Sequence, residues 1–170
     1  VDLICQNEGV YTISNLLKVE NLNDEKLLEK VDGLGYKDSS NNIILNRPSK
    51  IVDNKMLEID LPGMAWNLLP DIKKYRTSGW HSWSNDTEKQ PFASIYTSLG
   101  CPYKCSFCMI NIISRIDSSP GIVSSDNAKY RHWSPEFIMK QFDYFAKIGV
   151  KNIKIADELF VLKPRHFLKI

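Results

Sequence analysis

Cys101, Cys105 and Cys108 stand in Thr97-Ser-Leu-Gly-Cys-Pro-Tyr-Lys-Cys-Ser-Phe-Cys-Met109, a CxxxCxxC spacing that gathers three thiols on one short stretch. Three thiolates can hold an iron-sulfur cube by three corners and leave the fourth iron open. Clusters used only for electron transfer normally take four protein cysteines, so a three-cysteine loop points to an iron that meets a small ligand. A disulfide framework fits poorly, because the short steps crowd the three together and distant Cys5 is the only other thiol. Zinc is the better rival. A Cys₃His site would recruit His81 or His132, yet zinc ligands usually arrive as two paired elements, and no second pair accompanies this loop. Cys5, in apolar Val1-Asp-Leu-Ile-Cys5, is expected as a buried core thiol.

A frame must position these thiols. Phe92 to Ser98 is β-branched and aromatic enough to form a buried strand, which Gly100 and Pro102 then break. The cysteines would thus sit on a loop at a strand's carboxyl end, where α/β folds build their sites, with Phe107 shielding a cluster from water. Met109 to Arg115 continues as an apolar segment, and Asp117 to Lys129 reads as an insertion loop. A helix follows: Ser134 as N-cap, Pro135 and Glu136 in its first turn, Ile138, Phe142 and Phe145 on one face, and Gly149 past its end. Trp133, just before the cap, suits a hydrophobic staple. Val150 to Ala156 alternates as a strand, with Asp157 and Glu158 at its carboxyl end. Strand, helix, strand is a βαβ unit, expected as a right-handed parallel crossover that sets the cysteine loop and the acidic pair on one rim.

Upstream, Val1 to Cys5 reads as a strand, Gln6 to Gly9 as a turn, and Tyr11 to Val19 as a helix burying Ile13, Leu16 and Leu17. Asn21 to Val31 is a second helical stretch with Leu22, Leu27 and Leu28 as its stripe. Gly33-Leu-Gly-Tyr36 and Asn41-Asn42 punctuate short extended pieces, with Ile43-Ile-Leu45 the strand of a small hairpin. Residues 59–75 are too apolar and aromatic for a tether and read as an ordered connector. Trp80-His-Ser-Trp83 reads as packing between domains.

A composition of 43% hydrophobic residues permits a substantial core. The net charge of +2 comes from scattered bases, without the Lys/Arg stripe of a nucleic-acid surface. No apolar run approaches the roughly eighteen residues of a membrane span, and a soluble, cytoplasmic chain is the expectation. Val1 opens in a strand already under way and Ile170 ends in a helix begun at Pro164, so a fragment of a longer protein is expected.

The cysteine spacing, with an aromatic residue just before the third cysteine, resembles the radical S-adenosylmethionine (radical SAM) superfamily. The Gln6-Asn-Glu-Gly9 turn, Gly33-Leu-Gly-Tyr36, Ile59-Asp-Leu-Pro62 and Ala65-Trp-Asn-Leu-Leu69 ahead of it are similar to the subgroup with an N-terminal cobalamin-binding domain. The resemblance implies an α/β fold in three zones. Residues 1–32 would be the end of a Rossmann-like, cobalamin-binding-like domain, 33–90 a hairpin and connector, and 91–170 the first βαβ portion of a partial parallel, TIM-like barrel. It implies a 4Fe-4S cluster on Cys101, Cys105 and Cys108 and reductive cleavage of SAM to a 5′-deoxyadenosyl radical. It further implies methyl transfer if cobalamin is bound, with hydrogen abstraction leading to rearrangement, cyclisation or another bond change equally open, an unidentified substrate, and an electron donor such as flavodoxin or ferredoxin. Asp157 and Glu158 occupy the place of the family's GGE-type segment, where a carboxylate would accept hydrogen bonds from the SAM ammonium group. That segment itself and the cobalt-ligating DxHxxG motif are absent from the sequence. The non-enzymatic alternative is an iron-sulfur electron-transfer or scaffold module.

Overall fold

Short apolar runs interrupted by Gly, Asn and Asp produce short strands in this chain. The computed structural model describes residues 2–77, 90–103, 105, 107, 108, 110 and 130–170. By its contacts the chain divides into residues 1–56 with 100–130, and residues 57–99 with 131–170. Trp80-His-Ser-Trp83, Asp117 to Lys129, and the Met109 to Arg115 segment apart from Ile110 lie outside the described residues. Among those described, no helix is long and apolar enough to cross a membrane.

In the first unit, β1 (Leu3–Cys5), β2 (Leu34–Lys37) and β3 (Ile43–Leu45) form one antiparallel sheet in that order. The β2–β3 hairpin is the expected one. Its turn is closed by Asp38, whose carboxylate accepts from the Asn42 backbone N–H at 2.7 Å and from its side-chain amide at 3.0 Å. The Rossmann-like expectation for residues 1–32 gains no support from this pairing, since that stretch holds the single strand β1. β1 joins β2 antiparallel, Leu3 opposite Tyr36, so the strands on either side of residue 32 share a sheet with no parallel pair. Cys5 is exposed rather than buried, at the last position of β1, an edge strand of the sheet.

Helix α1 (Val10–Leu16) buries Thr12, while Ile13 and Leu17 are exposed. Of the expected face only Leu16 packs against the core, and the Thr12 hydroxyl donates to the Asp32 carbonyl at 2.9 Å. The second helix, α2, is only Glu25–Leu28. Asn21 and Asp24 accept from the backbone N–H groups of Asn23 and Lys26, holding residues 21–24 in turns rather than helix. Leu28, Val31, Leu34 and Tyr36 form the core, with Leu3, Leu16, Val19 and Ile44 against it. The Asn46 amide reaches into this core and donates to the carbonyls of Leu28 and Val31 at 2.8 and 2.9 Å.

In the second unit, β4 (Arg76–Thr77), β5 (Gln90–Ile95) and β8 (Asn152–Ile155) form a sheet in that order. β4 is antiparallel to β5, and β5 is parallel to β8, with Phe92 opposite Asn152 and Ile95 opposite Ile155. A two-stranded antiparallel ribbon joins β6 (Ser98–Leu99) to β7 (Arg131–His132). The connector carries α3 (Leu57–Asp60) and two single 3₁₀ turns, Trp66–Leu68 and Ile72–Lys74. Between β5 and β8 in the chain runs α4 (Pro135–Ile148), which starts and stops where its capping residues predict. The Ser134 hydroxyl accepts from the Phe137 N–H at 3.1 Å, and Gly149 takes φ 85° beyond the last turn. Phe145 is fully buried, edge-on to Trp66 at 5.3 Å between ring centroids. The Trp133 indole donates to the Leu61 carbonyl at 2.8 Å, and Glu58 accepts from the Ser134 N–H at 2.9 Å. Those two bonds fasten the connector to the start of α4.

The last helix, α5 (Pro164–Phe167), carries His166, which is 3% exposed. Its Nε2 lies 3.0 Å from the Trp133 carbonyl, so Nε2 bears the proton, and buried Nδ1 has no partner. The His132 ring sits 4.6 Å away. Burial lowers the pKa of His166; the Trp133 carbonyl opposes that, His132 adds to it, and smaller effects of Asp157 and Lys163 raise and lower it respectively.

Three outcomes are expected from these contacts. Gly33 has φ 78°, and an added Cβ would overlap the Thr12 hydroxyl and lie 2.8 Å from Ser49 Cβ. Gly33→Ala should therefore cost more than about 1 kcal/mol in denaturant unfolding. Ser134→Ala should cost about 1 kcal/mol by the same measurement, the usual loss of an N-cap. The third concerns pH. A histidine kept neutral by the fold takes no proton where the unfolded chain takes one, so its contribution to stability is intact above about pH 6.5 and declines as pH falls through that value toward the depressed folded pKa. His166→Gln should flatten this decline in unfolding curves recorded from about pH 7.5 to 5.

Candidate cluster and cofactor site

Parallel register brings the carboxyl ends of β5 and β8 side by side, and the Ala156 N–H donates to the Ile95 carbonyl at 2.8 Å. Beyond these ends stand Thr97 and Ser98 on one strand and Asp157 and Glu158 on the other. The expected strand from Phe92 to Ser98 is in fact two pieces. It leaves the β5·β8 ladder after Ile95, and at Ser98 it begins pairing with β7, with Ser98 opposite His132 and Leu99 opposite Arg131. Asp157 explains the break. Its Oδ1 accepts from the Thr97 N–H at 2.6 Å, and its Oδ2 accepts from the hydroxyls of Thr97 and Ser98, each at 2.6 Å. Both of those residues are fully buried, and the Trp133 N–H donates to the Thr97 carbonyl at 3.2 Å.

Glu158 differs from its neighbour. Its Oε2 is buried with no hydrogen-bond partner. A carboxylate oxygen withdrawn from water without a donor is costly, and an incoming cationic or N–H-bearing group relieves that cost. An orphaned acceptor therefore fits a ligand with an ammonium group.

From Leu99 the chain passes through Gly100, at φ 84°, into Cys101. Only glycine adopts that left-handed conformation without strain. Cys101 and Cys108 are partly buried and Cys105 is exposed; all are free thiols, and the Cys108 N–H donates to the Cys105 carbonyl at 3.1 Å. Phe107 is 91% exposed. The donor set suits an iron-sulfur cluster: three unpaired thiols, a soft ligand type, on one loop. Among the described residues, no three or more His, Cys, Asp or Glu side chains are gathered as a ligand group. His132, considered as a zinc partner, lies against His166 with the rings tilted by 46°, while His81 lies outside the described residues.

Thr97, Ser98 and His166 were not anticipated as members of this neighbourhood. The signal for the first two was present: a pair of hydroxyl residues ending one strand and an acid ending the next parallel strand. His166 left no comparable trace, because its burial depends on α5 meeting Trp133.

No protein-family model matches the sequence. The chain is 26% identical over 171 aligned residues to an uncharacterized methyltransferase of Pyrococcus horikoshii, an alignment covering 100% of this chain and 31% of that protein. It is 28% identical over 168 residues to the 4′-phospho-dehydrooxetanocin synthase of Priestia megaterium, covering 94% of this chain and 18% of that protein. Among solved structures, it matches the cobalamin-dependent S-adenosylmethionine radical enzyme OxsB with aqua-cobalamin and S-adenosylmethionine bound. That match has a TM-score of 0.59 and 26% identity, and covers 94% of this chain and 18% of OxsB. The form with aqua-cobalamin alone matches with the same TM-score at 25% identity. The chain thus spans a third or less of the length of the curated relatives it matches. The resemblance carried by Cys101, Cys105 and Cys108 extends well past the cysteine loop: over nearly its whole length, this chain is similar to part of a cobalamin-dependent radical SAM enzyme.

Proposed function

We propose that this chain contributes the N-terminal part of a radical SAM core, residues 91–170, to an enzyme that cleaves S-adenosylmethionine reductively. The observation that supports this best is the CxxxCxxC loop, entered directly from β6, in a chain 26% identical over 94% of its length to a cobalamin-dependent SAM radical enzyme. Cys101, Cys105 and Cys108 would hold the 4Fe-4S cluster. When bound, such a cluster supplies the electron that splits SAM into methionine and a 5′-deoxyadenosyl radical. The protein's own residues bind and orient. Gly100 turns the chain into the loop, Glu158 would accept from the SAM ammonium group, and the exposed Phe107 ring would cover the cluster. A flavodoxin- or ferredoxin-like donor would supply the electron.

Methyl transfer is the reaction that the Pyrococcus relative's name supports, and another bond change is what the oxetanocin synthase supports. Cobalamin enters this proposal only through the relatives. The DxHxxG motif is absent from the sequence, and His132 and His166 are engaged with each other and with the Trp133 carbonyl, so neither of these two described histidines is assigned to cobalt.

Anaerobic iron-sulfur reconstitution of the whole chain, followed by electron paramagnetic resonance with and without SAM, tests the reading. A reduced-cubane signal that shifts with SAM and disappears in Cys105→Ala is expected. Glu158→Gln should keep the signal but require about tenfold more SAM for half the shift, the loss of one charge-assisted hydrogen bond. A cluster indifferent to SAM would favour an electron-transfer or scaffold module, and tight zinc without iron would overturn the assignment.

A further inference from the structure

We infer that Asp157 is a positioning residue for the cluster loop: its carboxylate locks the Thr97-Ser98 strap from which that loop departs, an inference that rests on the cluster reading above. Thr97 and Ser98 are fully buried, so their hydroxyls need acceptors once removed from water. Asp157 Oδ2 takes both, and Oδ1 takes the Thr97 N–H, each at 2.6 Å. Donors to a charged oxygen form the short and strong class of hydrogen bond.

The strap is held from other sides as well. β6 pairs with β7, and the Trp133 N–H donates to the Thr97 carbonyl. Only Leu99 and Gly100 then separate Ser98 from Cys101. Anchoring Ser98 fixes the place and direction in which the loop begins. That lowers the conformational freedom the thiolates must lose when they close on a cluster.

The acidic pair therefore divides its work. Asp157 has three protein donors on two oxygens and little capacity left for a ligand, whereas the buried Glu158 Oε2 has none. Residue type alone does not distinguish the two. Their partners do.

The test compares the whole chain with Asp157→Asn, which keeps the side chain's shape but places an N–H₂ group where an acceptor of two hydroxyls stood. In the metal-free chain, amide hydrogen exchange at Thr97 and Ser98 should speed up about tenfold or more. After reconstitution, the variant should retain iron about tenfold more weakly, the usual cost of removing a partner behind a metal ligand. The clusters that remain should respond to the same SAM concentration as wild type. Ser134→Ala, destabilised elsewhere, should load iron normally. Asp157→Asn with wild-type exchange and wild-type iron retention overturns the inference, as does a variant that loses only its SAM response, which would make Asp157 a ligand instead. Should Asp157→Asn not fold, Ser98→Ala removes a single donor and should show the same two changes in smaller degree. A wild-type chain that holds no iron overturns the cluster reading and this role with it. Wild-type iron loading separates that outcome from failure of the clamp alone.

Discussion

Parallel strands cannot be joined by a tight turn, and that constraint organises the second unit. To lie beside β5 in the same direction, β8 must be reached through a long return, and α4 is the regular part of that return. The helix is well specified for the task. Its cap, its proline, its apolar face and its terminal glycine agree with one another, so its length is set locally, before any packing. Once it has returned the chain, the two carboxyl ends stand together, and polar residues brought there can meet. The meeting of Asp157 with Thr97 and Ser98 follows from register as much as from side-chain chemistry.

Polar groups dominate what is buried near those strand ends. Arg131, Thr97, Ser98 and His166 are each at most 3% exposed. Such a neighbourhood is stable only where donors and acceptors match, and most of the matching is local: strap to carboxylate, imidazole to carbonyl, amide to carbonyl. The few mismatches are informative for that reason. Glu158 Oε2 and His166 Nδ1 are acceptors without donors, and each marks a place where the free chain tolerates an electrostatic cost.

The second unit was the more legible half in sequence. α4 carries a cap, a stripe and a stop, and β8 carries alternation; both were read to within two residues of each end. The first unit was harder because its signals are short and conflicting. In α1, Ile13 and Leu17 look like part of the buried face, yet both are exposed and Thr12 is the buried residue, its hydroxyl satisfied by the Asp32 carbonyl. In residues 21–31, leucine spacing suggested one long helix, but Asn21 takes the Asn23 N–H in a turn and Asp24 caps a helix that starts only at Glu25. Pairing of β1 with β2 was not legible at all, because strands of three and four residues carry no pattern that names a partner. At the site, the grouping of three cysteines on one short stretch was plain from spacing, while the different surroundings of Asp157 and Glu158 could be read only from which donors face each.

The glycine in the middle of the small sheet has a further consequence. Ile4 and Leu45 close over Gly35 from opposite sides, so a methyl group there would come within 2.6 Å of one and 2.8 Å of the other. Gly35 thus leaves the space over the central strand that side chains from both outer strands occupy. Both stay about half exposed, Ile4 at 47% and Leu45 at 51%. The absent methyl is therefore what lets the neighbouring strands supply an apolar cover that the central strand's own residue cannot.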